Sequence, residues 1–167
     1  MNKLCVGKVV GTHGIKGELK ISSSVEISDR VFKVGNSLYF ENDEISYKIS
    51  GIRFHKGNFL VLLNDFNNIN DVLCFNKKKV YVDRDSVLEK DEYVLDDLIG
   101  FEVVCDDKVY GNIKDYESNS VYATFLVEGK QNFYLPNVSQ YVINIDLENK
   151  KVYTKNVGDL IIWKLMF

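Results

Sequence analysis

Cysteine and histidine are scarce in this chain of 167 residues: Cys5, Cys74 and Cys105, with His13 and His55. The cysteines are odd in number, far apart and free of Cys-x-x-Cys spacing. They are therefore read as reduced, buried small hydrophobes, and neither a disulfide framework nor a zinc-thiolate site is expected. The two histidines stand 42 positions apart, without the close pairing that an imidazole zinc site needs. No Gly-x-Ser-x-Gly elbow occurs, and the carboxylates fall mainly in turns, so no convergent set of nucleophile, acid and base is visible. An enzyme, a resident metal and a cofactor are all unexpected. Long apolar runs are missing too: the longest is Phe59 to Leu63, far below the ~20 residues of a spanning helix. Met1-Asn2-Lys3-Leu4 does not begin a basic segment followed by an apolar stretch, so no secretory signal, no membrane and a cytoplasmic location are expected.

A basic surplus is also lacking, since 21 Lys and Arg face 24 Asp and Glu. The balance is uneven along the chain. Residues 1–85 carry 13 basic and 10 acidic side chains, including all three arginines; residues 86–167 carry 8 lysines and 14 acidic residues. Charge alone does not make the whole chain a nucleic-acid binder, and an acidic half without arginine is a poor RNA surface. Such a half suits a basic protein partner.

The residues that are plentiful are 21 Val, 13 Ile, 10 Tyr and 10 Phe, against a single alanine, Ala123. These side chains are stiff at χ1 and fit pleated surfaces, so a mostly β protein is expected. Strand-like runs recur at Leu4–Val10, Glu18–Ser22, Ser37–Phe40, Ile45–Phe54, Asn58–Leu63 and Val80–Asp83, and again at Glu102–Cys105, Val109–Tyr116, Val121–Val127, Asn132–Leu135, Val142–Asp146 and Lys151–Thr154. Short strands at this spacing predict barrels or sandwiches, and small sheets avoid exposed edges by closing. Asn67 and Asn68 before Ile69, Val72 and Leu73 predict one short capped helix at a barrel end. Asp83 to Glu92 is charged and aperiodic, which divides the chain into domains at 1–85 and 93–167 with a linker at 86–92. The apolar segment Gly158 to Phe167, with Trp163, is expected to be a short element docked on a barrel.

One loop stands out. Gly11-Thr12-His13-Gly14-Ile15-Lys16-Gly17-Glu18 sets glycines at every third position after a strand. Its order matches neither a P-loop nor a dinucleotide fingerprint. Gly11, Gly14 and Gly17 are read as turn residues, with His13 and Lys16 as candidates to meet RNA phosphate; Lys77, Lys78 and Lys79 add to the basic half.

The run Val6-Gly7-Lys8-Val9-Val10-Gly11-Thr12-His13-Gly14-Ile15-Lys16-Gly17-Glu18-Leu19-Lys20 resembles the opening of the RimM family of bacterial ribosome maturation factors. Glu92-Tyr93-Val94-Leu95-Asp96-Asp97-Leu98-Ile99-Gly100 is similar to the segment that opens that family's PRC-barrel domain. Gly111, Leu135-Pro136 and Gly158-Asp159-Leu160 fall in order at weaker family landmarks. Two departures occur: the family commonly has adjacent aromatics where only Tyr93 is aromatic here, and the ending is Gly-Asp-Leu rather than Glu-Gly-Leu.

The resemblance implies an all-β chain of two small barrels in tandem, a six-stranded N-terminal one and a C-terminal PRC barrel, with one or two short helices. It implies a factor that binds the pre-small-subunit particle and its 16S rRNA near the head, through small-subunit ribosomal protein nineteen, and assists rRNA processing without catalysis or cofactor. Tyr93 would anchor that protein contact, supported by Leu98 and Ile99. A monomer is expected. A PRC-barrel adaptor acting outside the ribosome is the alternative.

Overall fold

The computed structural model describes the backbone of residues 2–166 and the side chains of residues 2–161. The chain forms two compact units, Met1–Glu92 and Tyr93–Phe167. No described helix is long and apolar enough to cross a membrane.

The first unit is a closed barrel of β1 (Lys3–His13), β2 (Glu18–Ser22), β3 (Ser37–Phe40), β4 (Ser46–His55), β5 (Asn58–Leu63) and β6 (Lys79–Asp83), in the order β1-β2-β5-β4-β3-β6. Closure depends on β1, whose first half pairs with β6 and whose second half pairs with β2. Bulges lie between Cys5 and Gly7 on the β6 side and between Val9 and Gly11 on the β2 side. Each extra residue changes the strand's phase, so Leu4 and Val6 point inward and the next inward residue is Val9. Cys5, between two core positions, therefore faces out.

This corrects the reading of the thiols. Cys5 and Cys74 are exposed, and only Cys105 is buried. Composition cannot see strand phase.

The barrel interior holds Leu19, Ile21, Leu38, Phe40, Ile49, Leu60, Leu63 and Val80, each at most 2% exposed. Burying each such side chain contributes about 1.5–3 kcal/mol. The predicted capped helix is present as α2 (Ile69–Val72), with the Asn68 side chain accepting from the Asn70 N–H at 2.9 Å. It runs into a 3-10 turn, Leu73–Phe75, and buries Val72 and Phe75. A helical turn that the sequence did not signal, α1 (Ser28–Val31), has no side-chain cap and is instead held by burial of Val31 and Phe32. Four residues are too few for a helical period to show.

A further turn, α3 (Arg84–Val87), occupies the start of the stretch read as a linker. The Arg30 guanidinium donates to the Val87 carbonyl and to Glu92, so this stretch is tied back to the first unit.

In the second unit a 3-10 turn, Leu95–Leu98, precedes β7 (Glu102–Cys105), β8 (Lys108–Ser118), β9 (Ala123–Glu128), β10 (Phe133–Pro136), β11 (Val142–Asp146) and β12 (Lys151–Thr154), followed by α4 (Val157–Met166). The sheet order is β10-β9-β8-β7-β12-β11, with β12 parallel to β7. Period-2 alternation sends Ala123, Phe125 and Val127 of β9 and Phe133 and Leu135 of β10 to one side. They meet Leu95, Leu98, Ile113, Val152 and Val157 in a single cluster. The buried Thr154 hydroxyl donates to the Val104 carbonyl at 2.9 Å, as a polar group in a core must. The first turns of α4 dock as expected, through Val157, Leu160 and Ile161. Trp163 lies outside the described side chains.

Candidate functional site

The loop between β1 and β2 is built by local backbone geometry. Gly14 and Gly17 have φ of +74° and +85°, a left-handed region that side chains disfavour. The Gly17 N–H donates to the Gly14 carbonyl at 3.3 Å. The Ile69 N–H donates to the Ile15 carbonyl at 2.9 Å, so α2 pins the loop from below. A Cβ on Gly17 would sit 2.9 Å from the Asn68 carbonyl oxygen. Gly11 differs from the other two: it lies inside β1, just past a bulge, without a left-handed backbone and with open space around it. Its reading as a turn residue is corrected accordingly. Ile15 and Lys16 are left projecting into solvent.

His13 and His55, distant in sequence, become neighbours, with ring centroids 5.8 Å apart. The cause is topological, because β2 and β5 stand between β1 and β4 in the barrel and bring the two hairpins side by side. Below the histidines, Arg53 donates twice to Glu18, Nε at 2.9 Å and Nη2 at 2.8 Å. This fork, with help from the Arg53 charge and from His13 and His55 and against partial burial, holds the Glu18 carboxyl below its ordinary pKa. Sequence reading did not find Arg53 or Glu18, and it treated His55 as isolated. The visible signal was the hairpin turn at Lys56-Gly57; its neighbour in space was not visible.

The pair can be tested through stability. A carboxyl ionising more readily in the folded chain than in the unfolded one (about 4.3) stabilises fully above that pH and loses its effect as pH falls through the lowered folded value. Arg53 is half exposed, so water screens the pair and the expected contribution is about 0.5–1 kcal/mol. Glu18→Gln should lower the melting temperature at pH 7, and the difference from the parent should shrink as pH falls below the unfolded value and through the lowered folded one; a difference that stays constant as pH falls would refute the assignment.

The remaining basic candidates sit elsewhere on the barrel. The Lys77 N–H donates to the Val9 carbonyl, the Val9 N–H donates to the Lys78 carbonyl, and Lys79 pairs with Lys8. His13 lies five positions beyond Lys8 along β1, about 16 Å of strand. Lys77 and Lys79 are exposed, while the Lys79 N–H is taken by the Glu41 carboxylate at 3.0 Å. The two basic groups are therefore separate patches of one surface.

In the second unit Tyr93 is half buried against the core cluster, and Ile99 is 42% exposed. Leu98 is fully buried. It cannot itself touch a partner and can act only by holding the turn that presents its neighbours. The turn is braced by the Asp97 carboxylate, which accepts from the Val94 N–H at 2.9 Å, and by the Tyr116 hydroxyl, which donates to Asp96 at 2.7 Å. Among the described residues no three His, Cys, Asp or Glu side chains gather as metal ligands would.

Comparison with known proteins agrees across both units. The family model of the RimM N-terminal domain matches residues 4–87, and that of the RimM PRC barrel domain matches residues 95–160. A ribosome maturation factor RimM from Staphylococcus aureus (strain NCTC 8325 / PS 47) is 32% identical over 153 residues, covering 88% of this chain and 92% of the relative. A solved RimM structure from Pseudomonas aeruginosa covers 95% of this chain and 100% of its own, at 19% identity and a TM-score of 0.47. The N-terminal domain of RimM from Thermus thermophilus covers 53% of this chain and 98% of its own, at 13% identity and a TM-score of 0.46.

Proposed function

The chain belongs to the RimM family of ribosome maturation factors, and from that premise we propose that it binds the assembling small ribosomal subunit near its head and assists 16S rRNA processing without catalysis. The observation that carries this reading is that both family domains are present in order in one chain. The opposite charges of the two halves support it, because they suit two chemically different partners.

The acidic second unit docks the basic head protein, small-subunit ribosomal protein nineteen, through the surface around Tyr93 and Ile99. The basic barrel meets rRNA with His13 and Lys16, and with Lys77 to Lys79 as a second patch. Binding that favours one conformation of the head shifts the particle's population toward it, which needs no bond making. The setting is the cytoplasm, where subunits assemble.

Sedimentation of cell extract through a sucrose gradient tests the whole reading. The protein should run with free small subunits and be absent from 70S ribosomes and polysomes. If it stays at the top at low salt with assembly slowed, the reading fails and the adaptor alternative takes its place. For the protein contact, Tyr93→Ala should weaken binding to the isolated head protein about tenfold, as expected for an aromatic hot spot. Unchanged affinity in a folded variant would remove Tyr93 from the interface.

A further inference from the structure

The end of the hairpin formed by β4 and β5 carries a large apolar side chain where none is needed for folding. Phe54 is 66% exposed, although it stands opposite Phe59 in the strand register. The two rings meet edge to face, with centroids 5.1 Å apart, and Phe59 in turn stacks on Phe32 at 4.4 Å and 19°. Phe32 is 5% exposed. Three rings thus lead from the core to solvent, and the outermost is braced from below while most of its surface is uncovered. The hairpin end itself is short: His55 pairs with Asn58 across the two-residue turn Lys56-Gly57. Phe54 is held on a firm element and not on a long loop.

The barrel wall that carries this ring is more one-sided in charge than the chain as a whole. Residues 1–25 and 45–64 contain β1, β2, β4 and β5, which are consecutive neighbours in the barrel wall. These segments carry seven cationic side chains, Lys3, Lys8, Lys16, Lys20, Lys48, Arg53 and Lys56, of which Lys3 pairs with Glu44 at 3.8 Å, and one acidic residue, Glu18. That acid is already engaged by Arg53. The acidic side chains of the first unit are therefore concentrated outside this wall. A cationic surface with an exposed, braced aromatic is the combination by which proteins hold single-stranded nucleic acid, the cations following phosphates and the ring stacking a base.

We infer that Phe54 is a stacking platform for an unpaired RNA base, with the phosphates of that strand held by cations of the same barrel wall. This rests on the proposed meeting of the first unit with rRNA and adds to it the form of the RNA, a single-stranded segment, and the residue that selects it. A duplex keeps its bases stacked inside and cannot use the ring.

Full-length protein, a fluorescently labelled twelve-nucleotide single-stranded RNA and a blunt duplex of the same length provide the test, read by anisotropy at low salt. Phe54→Ala should weaken single-strand binding about tenfold and leave duplex binding unchanged, and Phe54→Trp should restore it. Lys56→Ala should instead lower the salt dependence of both. Because most of the Phe54 ring lies outside the core, the alanine variant should fold, and the tryptophan variant controls for it. If Phe54→Ala leaves RNA binding intact but reduces pelleting with purified pre-small-subunit particles, the ring meets a protein and the inference is wrong. If it changes neither, the inference is wrong while particle binding by the parent chain still stands. Loss of particle binding by the parent would refute the ribosomal reading itself, whatever the RNA result.

Discussion

Replacing Phe40 by alanine is expected to destabilise the barrel by about 3–5 kcal/mol. Phe40 is 1% exposed and lies at the end of β3, facing inward. Its ring stacks on Phe75 at 4.3 Å and meets Tyr47 at 5.7 Å, and Phe75 in turn contacts Phe66. The removed ring therefore leaves a gap in a cluster that joins β3, β4 and the 3-10 turn after α2. Rigid aromatic neighbours cannot collapse into such a gap, which places the cost at the upper part of the usual range. Tyr47 is further fixed by its hydroxyl donating to Asp43 at 2.8 Å; burial first, then this bond, pushes its pKa up to about 12, so it stays protonated. Domains of this size are stable by only about 5–15 kcal/mol. Phe40→Ala should thus remove a fifth or more of the barrel's stability, while Phe40→Leu, which keeps most of the volume, should lose much less. Among the described residues, the core cluster of the second unit is formed by residues from Leu95 onward, with Tyr93 packed against it. Hydrogen exchange should therefore show protection falling in β1 to β6 and persisting in β7 to β12. A uniform fall throughout the chain, or a loss below about 1 kcal/mol, would contradict the packing described.

Gly17→Ala is expected to cost about 2–4 kcal/mol, of which roughly 1–2 kcal/mol is the left-handed backbone and the rest the close approach. The added methyl would lie 2.9 Å from the Asn68 carbonyl and 3.1 Å from Val72. Neither neighbour is a flexible side-chain end; the first is backbone at the start of α2, and the second is a buried core residue. Relief would push the loop off α2 and break the bond from Ile69 to Ile15. Lys16 would move with it, so binding to the particle should weaken together with stability. Gly14→Ala has the same left-handed backbone but open space and should cost only the conformational part, whereas Gly11→Ala should be nearly neutral. Equal losses in thermal unfolding for all three would mean that the glycine spacing, and not the contact with α2, sets the requirement.

The glycine loop was plain from its sequence, and the helix after Asn68 from its cap, because both are local: a few consecutive residues decide them. The distinction among the three glycines was hidden, since it depends on α2, about fifty residues further on. Likewise His55 was visible as a residue but not as the neighbour of His13, and Arg53 gave no sign of its fork to Glu18. Leu98 and Ile99 are adjacent in sequence, yet one is sealed in the core and the other open to solvent, a difference of turn phase that composition cannot express.

Composition, period-2 alternation and turn residues were enough to specify an all-β chain with twelve strands close to their observed limits, and ordered motifs were enough to reveal its family. They act through short-range forces, namely side-chain fit to the pleat, capping and left-handed turns, which each stretch of chain carries with it. Barrel closure, the phase shifts at the two bulges of β1, the outward thiol of Cys5, the meeting of His13 with His55 and the bracing of Phe54 all required the folded chain. Each depends on which strands become neighbours, and that is settled by burial of the whole core at once.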